Sequence, residues 1–193
     1  MNLPLVREKS MSFSWRETKH VAPFIRLWLV GAPGVGKTHI ANYLEKVEGF
    51  QVLRIGEILR KEIGVREFSS MKNPHAPEET DDRVAELVYD AIERQSREAN
   101  RPLVIDSSPR NERQLNFIPS FHNPLEMKDL VVFVHATESI RKVRLNKRGA
   151  DETRLASRAT DSWEQVRPEL ITKLVNGGVF MTTFENDGHV DDG

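Results

Sequence analysis

A chain of 193 residues, 38% apolar and 30% charged, carries enough apolar material for one domain with its own core and too little for two. Its 28 Lys and Arg are balanced by 29 Asp and Glu, which excludes the strongly basic character of a general nucleic-acid-binding protein. The absence of cysteine excludes disulfides, a catalytic thiol and Cys-ligated zinc; with no long apolar run and no signal-peptide core, neither a membrane span nor secretion is expected, and the cytoplasm is the expected compartment.

Residues 1–24 mix charges with Phe13, Trp15 and Phe24 without a period and are read as an N-terminal extension. Glu8 and Glu17 argue against an organelle-targeting peptide. The run IRLWLV at 25–30 is short, apolar and rich in strand-formers, and reads as a buried strand entering a glycine loop. After the loop, Ile40, Leu44 and Val47 fall at helical spacing and Gly49 closes the helix. A strand over 51–54 and a short helix over 57–63, ending at Gly64, come next. Pro74 and Pro77 mark 65–79 as a loop. Val84, Leu87, Val88, Ala91 and Ile92 then form an amphipathic stripe, with Thr80 as the candidate cap and Asp81 and Asp82 in the first turn.

Strands are expected over 103–106 and 130–135, followed by a basic helix over 138–148 and a loop over 149–161. Trp163, Val166, Leu170 and Leu174 predict another helix, interrupted or begun by Pro168, because proline is tolerated in a first turn but not inside. Gly177 and Gly178 end it, and 179–184 reads as the last strand. Strands alternating with helices imply an α/β fold with a parallel sheet covered on both faces.

The segment GAPGVGKT at 31–38 matches G-x-x-x-x-G-K-[ST] through Gly31, Gly36, Lys37 and Thr38. Glycines let backbone N–H groups curl around phosphate oxygens, Lys37 supplies charge to the β and γ phosphates, and the Thr38 hydroxyl suits Mg²⁺. The mechanism requires such a loop between a strand and a helix, which is where it falls. ATP and Mg²⁺ are therefore the expected cofactors, with Gly34, Val35, Gly36, Lys37, Thr38 and His39 as the nucleotide-binding segment.

Three further segments bear on the second substrate: RIGEILRKEI at 54–63, LVIDSSPRNERQL at 103–115, and an arginine series through Arg144, Arg148, Arg154, Arg158 and Arg167. Together with the loop they resemble the adenylate kinase and nucleoside monophosphate kinase family of P-loop kinases. Gly56, Glu57, Leu59 and Arg60 match its glycine-acid-x-L-R segment, and Asp106, Pro109, Arg110 and Gln114 match its D-G-F-P-R segment with the following glutamine. The resemblance covers most of residues 25–190. It implies a P-loop fold with a five-stranded parallel sheet, an acceptor-binding insertion at about 55–98 and a short lid at about 149–158.

It also implies roles. Arg60 and Arg110 would hold the acceptor phosphate beside Gly56, Gln114 would bond the acceptor base, and Asp106 would join Thr38 at Mg²⁺. Arg144 would cover the donor base, with Arg148 and Arg158 on the transferring phosphoryl group and Arg167 near the expected place of a second lid arginine. Catalysis would then rest on Lys37, Arg110, Arg148 and Arg158. Phosphoryl transfer between two nucleotides needs such a cluster, since catalysis is mostly positioning and charge stabilisation, and the guanidinium fork grips two phosphate oxygens. Arg141, Lys142 and Lys147 are expected on a solvated face. The family's Ser-Thr pair is replaced here by Arg54 and Ile55, and its Gly-Phe pair by Ser107 and Ser108.

The expected activity is ATP-dependent phosphorylation of a nucleoside monophosphate, with a monomer as the working expectation. A P-loop kinase of a non-nucleotide metabolite, and a nucleotide-binding regulatory protein without turnover, are the alternatives. The six histidines are dispersed and offer no metal spacing.

Overall fold

The computed structural model describes residues 25–63, 78–98, 101–107, 109, 128–147, 162–176 and 179–188. In chain order these form β1 (Ile25–Val30), α1 (Lys37–Val47), β2 (Gln51–Arg54), α2 (Ile55–Ile63), α3 (Glu78–Glu98), β3 (Leu103–Asp106), β4 (Lys128–His135), α4 (Glu138–Lys147), α5 (Ser162–Asn176) and β5 (Phe180–Glu185). The five strands make one sheet in the order β2-β3-β1-β4-β5. Every pair is parallel.

Alternation along β1 divides the core. Trp28 and Val30 face one side, packed with Val131, Phe133, Leu103, Ile105, α2, α3 and α5. Leu27 and Leu29 face the other, packed with Val104, Val134, the glycine loop and α1. Both faces are thus covered by helices, as a parallel sheet joined by crossovers requires. Among the described residues no helix is long and apolar enough to cross a membrane.

Helix α2 starts at Ile55, directly after β2, rather than at Glu57. Its buried face explains this: Ile55 and Leu59, four residues apart, both enter the core. Helix α3 starts at Glu78, so Thr80 lies inside it and is not its cap. Its stripe buries Val84, Val88, Ala91 and Ile92, with Leu87 partly buried against them.

Helix α5 runs unbroken through Pro168, which neither opens nor interrupts it. An interior proline costs about 3 kcal/mol. Burial of Leu170 and Leu174, each worth about 1.5–3 kcal/mol, offsets that cost. The Thr172 hydroxyl also donates to the Pro168 carbonyl at 2.8 Å. The described side chains of α5 do not include Trp163 and Val166. Strand β5 lies one residue later than expected, at Phe180–Glu185.

Strand β4 begins at Lys128, two residues earlier than its apolar run, because its ladder with β1 extends through Ile25↔Lys128 and Arg26↔Asp129. Asp129 is a charged residue only 6% exposed, and Arg26 beside it is 2% exposed. The two form a bidentate pair, Nε to Oδ1 at 2.7 Å and Nη2 to Oδ2 at 2.8 Å. Trp28 Nε1 donates to the same Oδ1 at 2.9 Å, and the Arg26 guanidinium lies 5.9 Å from the Trp28 ring centre. Burial of a charge is tolerated only with such compensation.

Asp129→Ala would leave a buried guanidinium and an indole N–H without this acceptor. It is expected to destabilise the fold by about 3–5 kcal/mol in urea unfolding. A loss below about 1 kcal/mol, the range of an exposed pair, would contradict this account of the core.

Candidate active site

The glycine loop leaves β1 at the carboxyl edge of the sheet and feeds α1, an 11-residue helix whose N-terminus is a ready anion site. Its glycines are needed for space as well as conformation. A Cβ on Gly31 would come within 2.3 Å of the Val134 carbonyl oxygen on β4. One on Gly36, where φ is 96°, would come within 2.4 Å of Asn186 Nδ2. The Lys37 ammonium donates to the carbonyls of Gly31 at 2.7 Å and Ala32 at 2.9 Å, drawing the start and end of the loop together. Val35 is buried, and His39 is exposed on the first turn of α1.

Because β3 lies beside β1, its last residue stands next to the loop. Thr38 Oγ1 donates to Asp106 Oδ2 at 2.9 Å, and Ser107 Oγ donates to Asp106 Oδ1 at 2.9 Å. Both carboxylate oxygens are therefore oriented. The strand order turns back at β1, and the crevice outside the carboxyl ends of strands at such a point is where open α/β sheets bind ligands.

Gly56 and Arg60 are adjacent on α2: a Cβ on Gly56 would sit 3.6 Å from Arg60 Nη1. Arg60 is exposed. Ile55 is buried in the core, so apolar packing replaces the hydroxyl of the family pattern. Arg54 points to the α1 side, where it donates to Asn42 Oδ1 at 2.9 Å and pairs with Glu45. The hydrogen bond from Arg54 holds the Glu45 carboxyl below its usual range. Arg54 also feels the charges of Glu57 and Asp106.

Arg144, on α4, reaches the loop from the other side. Its Nη1 lies 3.3 Å from the Val35 carbonyl oxygen, and its Nη2 donates to the Gly188 carbonyl at 2.9 Å. Its neighbours differ from one another: Lys142 forms an exposed pair with Glu138 four residues earlier and Lys147 is exposed, whereas Arg141 is half-buried with its Nε enclosed. The backbone of Arg141 packs against Gly34. Arg167 is half-buried on α5. Arg110, Gln114, Arg148 and Arg158 lie outside the described residues, as do the extension 1–24 and the segment 149–158.

Residues 30–167, more than two thirds of the chain, match the AAA_17 family, described as an AAA domain. The chain belongs to this family. It is similar to adenylate kinase 1 of Drosophila melanogaster, at 27% identity over 184 residues covering 92% of this chain and 77% of that protein. It is also similar to the adenylate kinase of Prochlorococcus marinus, at 27% identity over 127 residues covering 64% of this chain and 68% of that one. Among solved structures, an unliganded sugar kinase from a Janibacter species superposes with a TM-score of 0.55 at 11% identity, covering 84% of this chain and 86% of that one. That likeness concerns the fold. This AAA_17 member is accordingly a P-loop kinase with the five-stranded parallel sheet and helical layers of its class, and its family implies ATP as the nucleotide.

Two features of the site, the contact made by Asn186 and the backbone conformation of Ser107, were not read from the sequence. Asn186 touches the loop through a backbone carbonyl 151 positions away, a contact with no local pattern to announce it. Ser107 carries a positive φ of 76°, in the left-handed region that favours glycine. The signal was available, since the resembling family has glycine there. Retaining serine in that conformation costs about 1–2 kcal/mol, while its hydroxyl orients Asp106. Ser107→Gly is therefore expected to be more stable than Ser107→Ala by about 1 kcal/mol in urea unfolding, because both lose the hydroxyl but alanine keeps the strain that glycine relieves. Equal midpoints for the two variants would contradict the strained turn.

Proposed function

We propose that this kinase transfers the γ-phosphoryl group of ATP to the phosphate of a nucleoside monophosphate, releasing ADP and a nucleoside diphosphate. The observation that carries the reading is the Thr38–Asp106 hydrogen bond, which couples the phosphate loop to the strand leading into Pro109, Arg110 and Gln114. A donor loop and an acceptor segment joined at one edge of a sheet suit a reaction that must bring two phosphates together. The adenylate kinase relatives, one of them matched over 77% of its length, support a nucleotide as the acceptor.

In this reading the loop N–H groups and Lys37 hold the donor phosphates, and Arg144 lies on the donor side. Arg60 and Arg110 hold the acceptor phosphate near Gly56, and Gln114 bonds the acceptor base. Arg148, Arg158 and Arg167 supply charge around the transferring group, with 149–158 as a lid that excludes water. The hydroxyl of Thr38 and the carboxylate of Asp106 are hard oxygen donors that fit Mg²⁺, which when bound neutralises charge on the phosphate oxygens. The chain would comprise an extension over 1–24 and one kinase domain over 25–193, with the acceptor insertion over about 55–98.

The test is a coupled ADP-release assay with ATP, Mg²⁺ and a panel of ribo- and deoxynucleoside monophosphates. At least one acceptor is expected to raise turnover well above that with ATP alone. Arg110→Ala is expected to lower kcat/KM for that acceptor by about 10- to 150-fold, the loss of one charged hydrogen-bonding partner. ADP release stimulated by a sugar or carboxylic acid and by no nucleotide would contradict the proposal.

A further inference from the structure

The turn that follows β5 joins three parts of the donor side. Main-chain pairing carries it there: the last register pair of the sheet is His135↔Glu185, and the next N–H, that of Asn186, donates to the His135 carbonyl at 2.7 Å. From this point the side chain of Asn186 reaches the phosphate loop, its Nδ2 donating to the Val35 carbonyl at 2.7 Å. Asp187 Oδ1 accepts the Thr137 N–H at 2.8 Å, at the entry to α4. The Gly188 carbonyl accepts from Arg144, whose other terminal nitrogen faces the Val35 carbonyl.

The contact at Val35 matters because of peptide geometry. In a trans peptide the C=O of one residue and the N–H of the next lie in one plane and point in opposite directions. A donor that grips the Val35 carbonyl from outside the loop therefore turns the Gly36 N–H toward the opposite, inner side. Loops of this kind bind phosphate through such N–H groups. Only the amide nitrogen of Asn186 can make this bond, since the acceptor is a carbonyl. The fit is close, as any side chain at Gly36 would collide with that nitrogen.

We propose that Asn186 is a positioning residue for the phosphate loop: it fixes the Val35–Gly36 peptide in the orientation that binds the donor phosphates, without itself reading the nucleotide base. This rests on the reading of 31–38 as the ATP-binding loop. Three expectations separate it from a merely structural role. Loss of the side chain weakens phosphate binding in a protein that stays folded. The loss is independent of the base. Aspartate, which has no donor and adds a negative charge, is worse than alanine despite matching the size of asparagine.

The full-length protein and its Asn186→Ala and Asn186→Asp variants are titrated calorimetrically with AMP-PNP and with inorganic tripolyphosphate, each with Mg²⁺, and their urea midpoints are measured without ligand. Asn186→Ala is expected to raise both dissociation constants by a similar factor, about 3- to 10-fold for one hydrogen bond, and Asn186→Asp by more than Asn186→Ala. Both variants are expected to remain folded in the absence of urea. Unchanged affinity in both variants, or an aspartate variant that binds as well as the wild type, overturns the proposal. A loss confined to AMP-PNP, with tripolyphosphate unaffected, overturns it in favour of a contact to the nucleoside. If the wild type binds neither probe, the ATP-loop reading fails and this inference with it, whereas normal wild-type binding with unaffected variants defeats only the role of Asn186.

Discussion

Strand β1 is held in register against β4 by a buried ion pair, and the site depends on that register. Arg26 and Asp129 are direct cross-strand partners on the face that carries Trp28, and both are almost wholly enclosed. A slip of one residue would turn one of them to the opposite face and leave its charge buried without this partner. With the pair made, Val30 lies beside Phe133, so β1 and β4 reach the carboxyl edge together and the Gly31 backbone passes close to the Val134 carbonyl. The β1–β3 ladder, matching Leu29 with Asp106, then brings the Asp106 carboxylate beside the first turn of α1.

The phosphate loop is consequently restrained on every side that the described residues show. Lys37 ties its start to its end, Thr38 ties it to β3, the backbone of Arg141 abuts Gly34, and Asn186 and Arg144 grip its outer carbonyls. Such restraint suits an anion site whose N–H groups must converge before the ligand arrives, because a loop that had to order itself on binding would lose affinity to conformational entropy. The Ser107 turn follows the same logic. Strain of about 1–2 kcal/mol is accepted at a position where the hydroxyl fixes one oxygen of Asp106.

Much of the fold was legible in the sequence because strands and helices here bury continuous runs or clean stripes. IRLWLV and LVID read as strands, and the stripe from Val84 to Ile92 as a helix, for that reason. The errors arose where tertiary packing overrode a local rule. Pro168 sits inside α5 because Leu170 and Leu174 are buried beyond it, and β4 includes Asp129 because Arg26 neutralises it. At the site, the loop, Thr38 and Asp106 were readable from spacing and resemblance, whereas the contact between Asn186 and the loop was not, since a side chain bonded to a distant backbone carbonyl leaves no periodic trace. Arg54 was visible as a departure from the family pattern; its partners Asn42 and Glu45 follow from the packing of α1 on the sheet face that bears Arg54.

The central claim is that residues 31–38 hold the phosphates of ATP and that Lys37 supplies charge to them. Calorimetric titration of ATP with Mg²⁺ into the full-length protein and into Lys37→Ala, with far-ultraviolet circular dichroism on both, addresses it most directly. The account predicts saturable binding by the wild type, weakened about 10- to 150-fold in a variant that keeps its secondary structure, as expected for loss of a charged hydrogen bond. Equal affinity in the two proteins would contradict it.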